Sequence, residues 1–154
     1  MLTRLGVAHE VHSYDYDPEA QRTGLQAAEA LGEPPDRVLK TLMALVDGKP
    51  VCAVVPSDRE VSMKKLAGAF GGKSAQMMKP PDAERITGYK VGGISPFGQT
   101  RKVPTAVEVL ALAQPYVFIN AGQRGLQVKL DPQDAVKALG AIAEALAAHS
   151  GEPT

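Results

Sequence analysis

The chain of 154 residues has no excess of charge, one cysteine, three histidines and no long apolar run. Each scarcity closes a class of function. The 17 Lys and Arg balance 17 Asp and Glu, which argues against binding DNA or any other nucleic acid through bulk charge. Cys52 alone cannot build a disulfide framework or a Cys-rich zinc cluster, and a lone thiol fits a reducing cytoplasm. No apolar run approaches the roughly 20 residues of a membrane span. The first residues, Met1-Leu2-Thr3-Arg4-Leu5-Gly6, carry no signal-peptide core. No membrane association and a cytoplasmic location are therefore expected. A metal is not expected either. His9 and His12 stand three apart on a predicted strand, hence on opposite faces, and His149 lies in the C-terminal tail.

What is present suffices for a core. Hydrophobic residues make up 44% of the chain, and its length suits one domain, residues 1–154. No internal period of about 20–50 residues suggests a repeat. Val7 to Asp15 alternates and reads as a strand, and Thr23 with Gln26 resembles a capping box for a helix through Leu31. Val38 to Val46 and Pro50 to Val55 flank Asp47-Gly48, a hairpin signal. Ser62 is placed to cap a helix over Met63 to Phe70, and Ser74 to Met78 reads as a short strand. A helix over Asp82 to Thr87 stops at Gly88, and a Gly- and Pro-rich loop runs from Gly92 to Pro104. Strands are predicted at Tyr116 to Asn120 and Leu126 to Leu130. Asp131-Pro132 then opens a last helix that continues past Gly140 through Ala148. The order β-α-β-β-α-β-α-β-β-α reads as an α+β domain around a mixed sheet.

The neutral total hides a distribution. Residues 1–60 carry 6 basic and 10 acidic side chains, residues 61–107 carry 8 and 2, and residues 108–154 carry 3 and 5. The middle third is basic. Lys64 and Lys65 fit a solvated helix face as well as a phosphate contact. Arg101 and Lys102, beside a glycine-rich loop, favour an anion. Gly92-Gly93 followed by Pro96 forms either an ordinary tight turn or a loop whose N–H groups face a ligand carbonyl or phosphate. Lys40 in a β-rich run must reach solvent at a sheet edge or point into a polar cleft, because an unpaired buried ammonium is costly. Cys52 sits in an apolar strand and reads as a small buried hydrophobe rather than a nucleophile. Ser95 is followed by Pro96, so it is not the turn of a serine-nucleophile elbow.

Five segments together carry a family resemblance: Lys40-Thr41-Leu42, Val51 to Pro56, Lys64-Lys65-Leu66-Ala67, Thr87 to Gln99, and Gly122-Gln123-Arg124-Gly125-Leu126. The string Thr87-Gly88-Tyr89-Lys90-Val91-Gly92-Gly93-Ile94-Ser95-Pro96 is the most specific of them. In this order they resemble the YbaK family of free-standing aminoacyl-tRNA deacylases, relatives of the editing domain inserted in bacterial prolyl-tRNA synthetase. The resemblance runs from His12 to about Gly140. It implies an α+β domain with a mixed, barrel-like sheet and hydrolytic clearance of mischarged tRNA without a cofactor. This chain is most similar to the branch that removes cysteine from Cys-tRNA(Pro).

By the same resemblance Lys40 matches the essential lysine, and Thr41 and Tyr14 match pocket residues. Gly92, Gly93, Ile94, Ser95 and Pro96 match the loop that holds the substrate carbonyl through backbone contacts. Asn120 stands where family members usually have serine. Most of a helix expected before Leu5 is missing, so that helix is short here or the start lies upstream. The implied chemistry needs no protein nucleophile: the substrate thiol attacks its own ester, and the protein orients it and stabilises the oxyanion. Lys64, Lys65, Arg101 and Lys102 would meet the acceptor stem. Phosphate contacts carry little sequence information, so a partner, prolyl-tRNA synthetase, would select the tRNA. Two alternatives stand beside this reading: a deacylase for alanyl or seryl esters, and a non-catalytic module that binds an aminoacyl or nucleotide ligand.

Overall fold

The structure, a computed structural model, describes residues 6–15 and 23–148. Its centre is a hairpin of β2 (Leu39–Val46) and β3 (Lys49–Pro56), paired in register from Leu39 opposite Pro56 to Val46 opposite Lys49. Asp47 and Gly48 both have positive φ, 49° and 81°, as a two-residue turn matching the strand twist requires. The Asp47 carboxylate accepts the N–H groups of Lys73 and Ser74 at 3.0–3.1 Å, which brings in β4 (Ala75–Met77) beside β2. On the other side β5 (Thr105–Glu108) pairs parallel with β3, and β8 (Ile142–Glu144) pairs parallel with β5. These make one five-stranded sheet, in the order β4-β2-β3-β5-β8. A second, antiparallel sheet joins β1 (His9–Ser13), β7 (Leu126–Leu130) and β6 (Val117–Asn120), with β7 in the middle.

Helices cover what the sheets leave apolar. Alternation along β2 turns Leu39 and Met43 one way and Ala44 and Val46 the other, and both sets are buried. The first set meets Ile119 and Val128 of the smaller sheet, together with α3 (Pro80–Thr87) and α4 (Pro132–Leu139). The second set is closed by α2 (Met63–Ala69), whose start is capped by the Ser62 side chain accepting from Lys65 N–H at 3.2 Å. Ala27 and Ala28 of α1 (Thr23–Leu31) pack on Phe118, on the outer face of the small sheet. The capping box expected at Thr23 rests on a side chain outside the described residues, as does the predicted tail position of His149.

Three expectations need correction. The described strands do not close into a barrel; they form two sheets that meet at one isolated parallel bridge, Val38 with Phe118. The last helix does not run through Ala148. Gly140 adopts φ 60° and ends it, and the chain then extends as β8. Local alanine propensity loses there to tertiary pairing. Ile142 lies opposite Ala106, and the buried Glu108 carboxylate accepts from Leu146 and Ala147 N–H, both at 2.8 Å. The strand β5 was not expected. Its four residues are too few to show a period, and three of them are buried.

Candidate active site

The site arises where the two sheets part. β4 pairs only with Ala44, Leu45 and Val46, so the first half of β2 has no neighbour on that side. The backbones of the two sheets bridge only at Val38, just before β2, and Phe118 of β6. Two residues further along each strand stand Lys40 and Asn120. Between the diverging strands opens a cleft of about 300 Å³. Lys40 and Thr41 line it from β2, Asn120 and Gln127 from the small sheet, and Gly92 and Ile94 from the loop before β5. Tyr14 lines it from the end of β1, and Met77, Met78, Pro80 and Ala83 supply an apolar wall.

The loop at Gly92 is braced from several directions. Asn120 Nδ2 donates to Gly92 O at 3.3 Å while its Oδ1 accepts Gly122 N–H at 2.6 Å. Arg124 Nε donates to Val91 O at 2.8 Å, and Val91 N–H donates to Glu84 Oε2 at 2.9 Å. The Tyr89 hydroxyl donates to Phe97 O at 2.5 Å, and partial burial raises its pKa. A side chain on Gly93 would stand 2.8 Å from Arg124 N, so only glycine fits between the loop and the turn of β6 and β7. The N–H groups of Gly92 and Ile94 have no acceptor among the described residues, whereas Gly93 N–H donates to Lys90 O at 2.8 Å. Gly92 and Ile94 thus bring two uncommitted backbone donors to the wall of the cleft. Gly93 does not line the cleft, and its N–H is committed within the loop.

Of the residues singled out in the sequence, six meet at the cleft: Tyr14, Lys40, Thr41, Gly92, Ile94 and Asn120. Ser95 and Pro96 are buried behind it, the Ser95 hydroxyl accepting Phe97 N–H at 3.1 Å. Lys64, Lys65, Arg101 and Lys102 do not line it. Lys65 Nζ donates to Ala147 O at 2.9 Å, fastening the C-terminal segment to α2. Arg101 N–H donates to Ile86 O at 3.0 Å, at the end of α3 about 12 Å along the helix axis from the end that borders the cleft. The exposed cations that adjoin lining residues in the chain are instead Arg59, Lys79 and Lys90, and Arg124 reaches the loop through Val91 O.

Gln127 was missed. As the first polar residue in a strand that alternates with Lys129 it reads as solvent-facing, yet it is only 4% exposed. Its signal lay in the register, which sets it opposite both His12 and Asn120.

Neither Cys52 nor Ser57 is set up as a nucleophile. Cys52 is fully buried, and that burial pushes its thiol up to about 12, far from the thiolate that attack requires. Ser57 lines the cleft but donates its hydroxyl to Pro35 O at 3.0 Å, and no histidine among the described residues lines the cleft. Among the described residues no three His, Cys, Asp or Glu side chains gather where they could hold a metal ion. No helix among them is long and apolar enough to cross a membrane.

Fold and site together define an α+β domain that presents a small, mostly apolar cleft into which a lysine, uncharged polar groups and uncommitted backbone N–H groups are set. Residues 18–138 match the aminoacyl-tRNA editing domain, and the chain belongs to that family. It is 35% identical over 134 residues to "Putative Cys-tRNA(Pro)/Cys-tRNA(Cys) deacylase EbsC" of Enterococcus faecalis, covering 84% of this chain and 82% of that protein. It is also 41% identical over 68 residues to the proline--tRNA ligase of Nitratidesulfovibrio vulgaris, covering 44% of this chain and 12% of the ligase. Among solved structures, "Crystal structure of a putative trans-editing enzyme for prolyl tRNA synthetase" superposes with a TM-score of 0.81 at 21% identity. That match covers 92% of this chain and 87% of the other, and it shows a shared fold.

Proposed function

We propose that this chain, as one editing domain, is a trans-acting aminoacyl-tRNA deacylase that clears mischarged tRNA, with Cys-tRNA(Pro) as its substrate. The observation that carries the reading is that Gly92 and Ile94, whose N–H groups have no acceptor among the described residues, line one cleft together with Lys40 and Thr41. An aminoacyl ester is labile, and a site that orients it and receives its oxyanion accelerates cleavage without lending a nucleophile. In the cysteinyl case the substrate sulfur gives up its proton and attacks the ester carbonyl. The carbonyl oxygen takes up charge against Gly92 and Ile94. The bond to the ribose oxygen then breaks, that oxygen leaves with a proton, and a thiolactone and free tRNA result. Lys40 is assigned to the terminal phosphate or to charge stabilisation. Prolyl-tRNA synthetase is the partner that would supply tRNA selectivity, since nothing in this cleft reads an anticodon.

A panel of tRNAs charged with cysteine, alanine or serine tests this. Cys-tRNA(Pro) should lose its label, and Lys40→Ala should abolish the loss. Full activity in Lys40→Ala overturns that assignment, and preferential clearance of alanyl or seryl esters moves the substrate. A second reading, a non-catalytic binding module, draws on Asn120, whose amide is committed at both ends within the protein. Salt-sensitive tRNA binding with no deacylation of any member of the panel would establish it.

A further inference from the structure

Two hydrogen bonds fix which backbone groups of β2 face the cleft. Val38 O accepts Ser57 N–H at 2.9 Å on the β3 side, and Met43 O accepts Met78 N–H at 3.0 Å on the β4 side. Backbone groups alternate along an antiparallel strand, so even residues of β2 turn theirs to β3 and odd residues turn theirs the other way. Of the odd residues, Leu45 lies opposite Gln76, Met43 is held by Met78, and Leu39 adjoins the Val38–Phe118 bridge. Thr41 is left. It lines the cleft, and its backbone N–H and C=O have no partner among the described residues. The register that sets Ala44 opposite Met77 would bring Pro80 opposite Thr41, but proline has no N–H and the chain turns there into α3. The cleft thus occupies the lane of a missing strand.

We infer that Thr41 reads the aminoacyl group through its backbone, pairing with it as with one residue of an antiparallel strand, and that the cleft thereby selects L-aminoacyl esters. The inference rests on the deacylase reading for the identity of the ligand. In a hydrogen-bonded antiparallel pair two residues exchange both of their bonds, so a single aminoacyl unit completes the pattern. Its α-ammonium donates to Thr41 O, and its ester carbonyl accepts Thr41 N–H. That carbonyl keeps a second lone pair for a loop N–H at Gly92 or Ile94, which line the same space. The ends of the lane set the direction. Met78 closes the end at Met43, so the amine, where the ligand stops, points there. The esterified nucleotide runs the other way, towards the gap between β2 and β6. Side chains directly opposite one another share a face of the sheet. An L side chain therefore falls on the face of Thr41, with Leu39 and Met43 and the buried Met78 and Ala83. A D side chain would fall on the face of Lys40.

Amide hydrogen exchange read by NMR tests the edge without any substitution. In the unliganded protein the Lys40 and Leu42 amides, paired with β3, should be protected, and the Thr41 amide should exchange about 100-fold faster. Saturation with 3′-(L-cysteinylamino)-3′-deoxyadenosine, whose amide resists cleavage, should slow Thr41 by about 10-fold more than Leu42. In calorimetry the D-cysteinyl analogue should bind about 10-fold more weakly than the L form. The 3-mercaptopropionyl analogue, which lacks the amine, should lose about 10- to 100-fold, as expected for losing a hydrogen bond to a charged group. A Thr41 amide that is protected without ligand, or that stays unprotected in the complex, overturns the inference. Equal binding of the two enantiomers or of the analogue without the amine also overturns it, as does failure of the L analogue to bind. If the L analogue binds with this protection and discrimination but no charged tRNA loses its amino acid, the deacylase reading fails and the Thr41 subsite stands. If Cys-tRNA(Pro) is cleaved while Thr41 stays unprotected with the analogue bound, the subsite fails and the deacylase reading stands.

Discussion

Gly93→Ala isolates the geometry on which the proposed oxyanion site depends. Gly93 does not have positive φ, so alanine meets no backbone strain there. The obstacle is space. The new Cβ would lie 2.8 Å from Arg124 N, 3.1 Å from Gln123 C and 3.3 Å from Gln123 Cα, all backbone atoms that cannot swing away. Ordinary contact begins at 3.4 Å, so the loop must move by about 0.6 Å, the difference between 3.4 and 2.8. Overpacking of this kind costs about 1–3 kcal/mol. The displacement also carries Gly92 and Ile94, and a 1 Å misplacement can cost about 100-fold in rate, so a loss of roughly 10-fold or more in kcat is expected. Urea denaturation and single-turnover deacylation measure the two effects. The control is Gly68→Ala in α2, where a Cβ meets nothing within 4 Å. That change should stabilise by about 0.5–1 kcal/mol, the helix-propensity gain over glycine, with activity unaltered. Gly93→Ala with the stability and rate of the unmodified protein would refute the close packing of the loop on the 122–125 turn.

Glu108→Ala should unfold or nearly unfold the domain. It strips acceptors from Leu110, Leu146 and Ala147 N–H, and at about 1–3 kcal/mol for each buried group the loss approaches the whole stability of a domain. A midpoint within 2 °C of the unmodified protein would sink this reading. The Cys52 thiol, raised to about 12 by burial, should resist thiol reagents at pH 8 until the chain unfolds. Because the unfolded thiol ionises near 9 and the native one does not, Cys52 also makes stability fall as pH rises above 9, and Cys52→Val should flatten that slope. Asp47 has its pKa lowered, chiefly by the Ser74 and then the Lys73 N–H. Its contribution is present above the unfolded carboxyl pKa and disappears as pH falls through the native one. Asp47→Asn should therefore shift the acid-denaturation curve below about pH 4, and an unchanged curve would contradict the turn's role.

Legibility differed by residue. The hairpin at Asp47-Gly48, the Ser62 cap, the Asp131-Pro132 helix start and the Gly88 stop were all readable, because each depends on the chemistry of adjacent residues. β5 and β8 were not, because parallel partners for Thr105–Glu108 come from segments about 50 residues before and 35 residues after it. The basic cluster illustrates the same limit in the site. Lys65 and Arg101 are close in sequence to residues near the cleft, but α2 lies on the opposite face of the sheet and Arg101 is tied to Ile86 O at the far end of α3.

By itself, then, the sequence determined the family, most helices and strands, and six residues that line the cleft, since these follow from local chemistry and from an ordered string of motifs. Only the tertiary structure decided where β2 loses its neighbour, which glycine packs against the 122–125 turn and which borders the cleft, and that Gln127 is buried beside Asn120. Those facts depend on register and divergence between strands far apart in the chain, and no local pattern encodes a gap between two sheets.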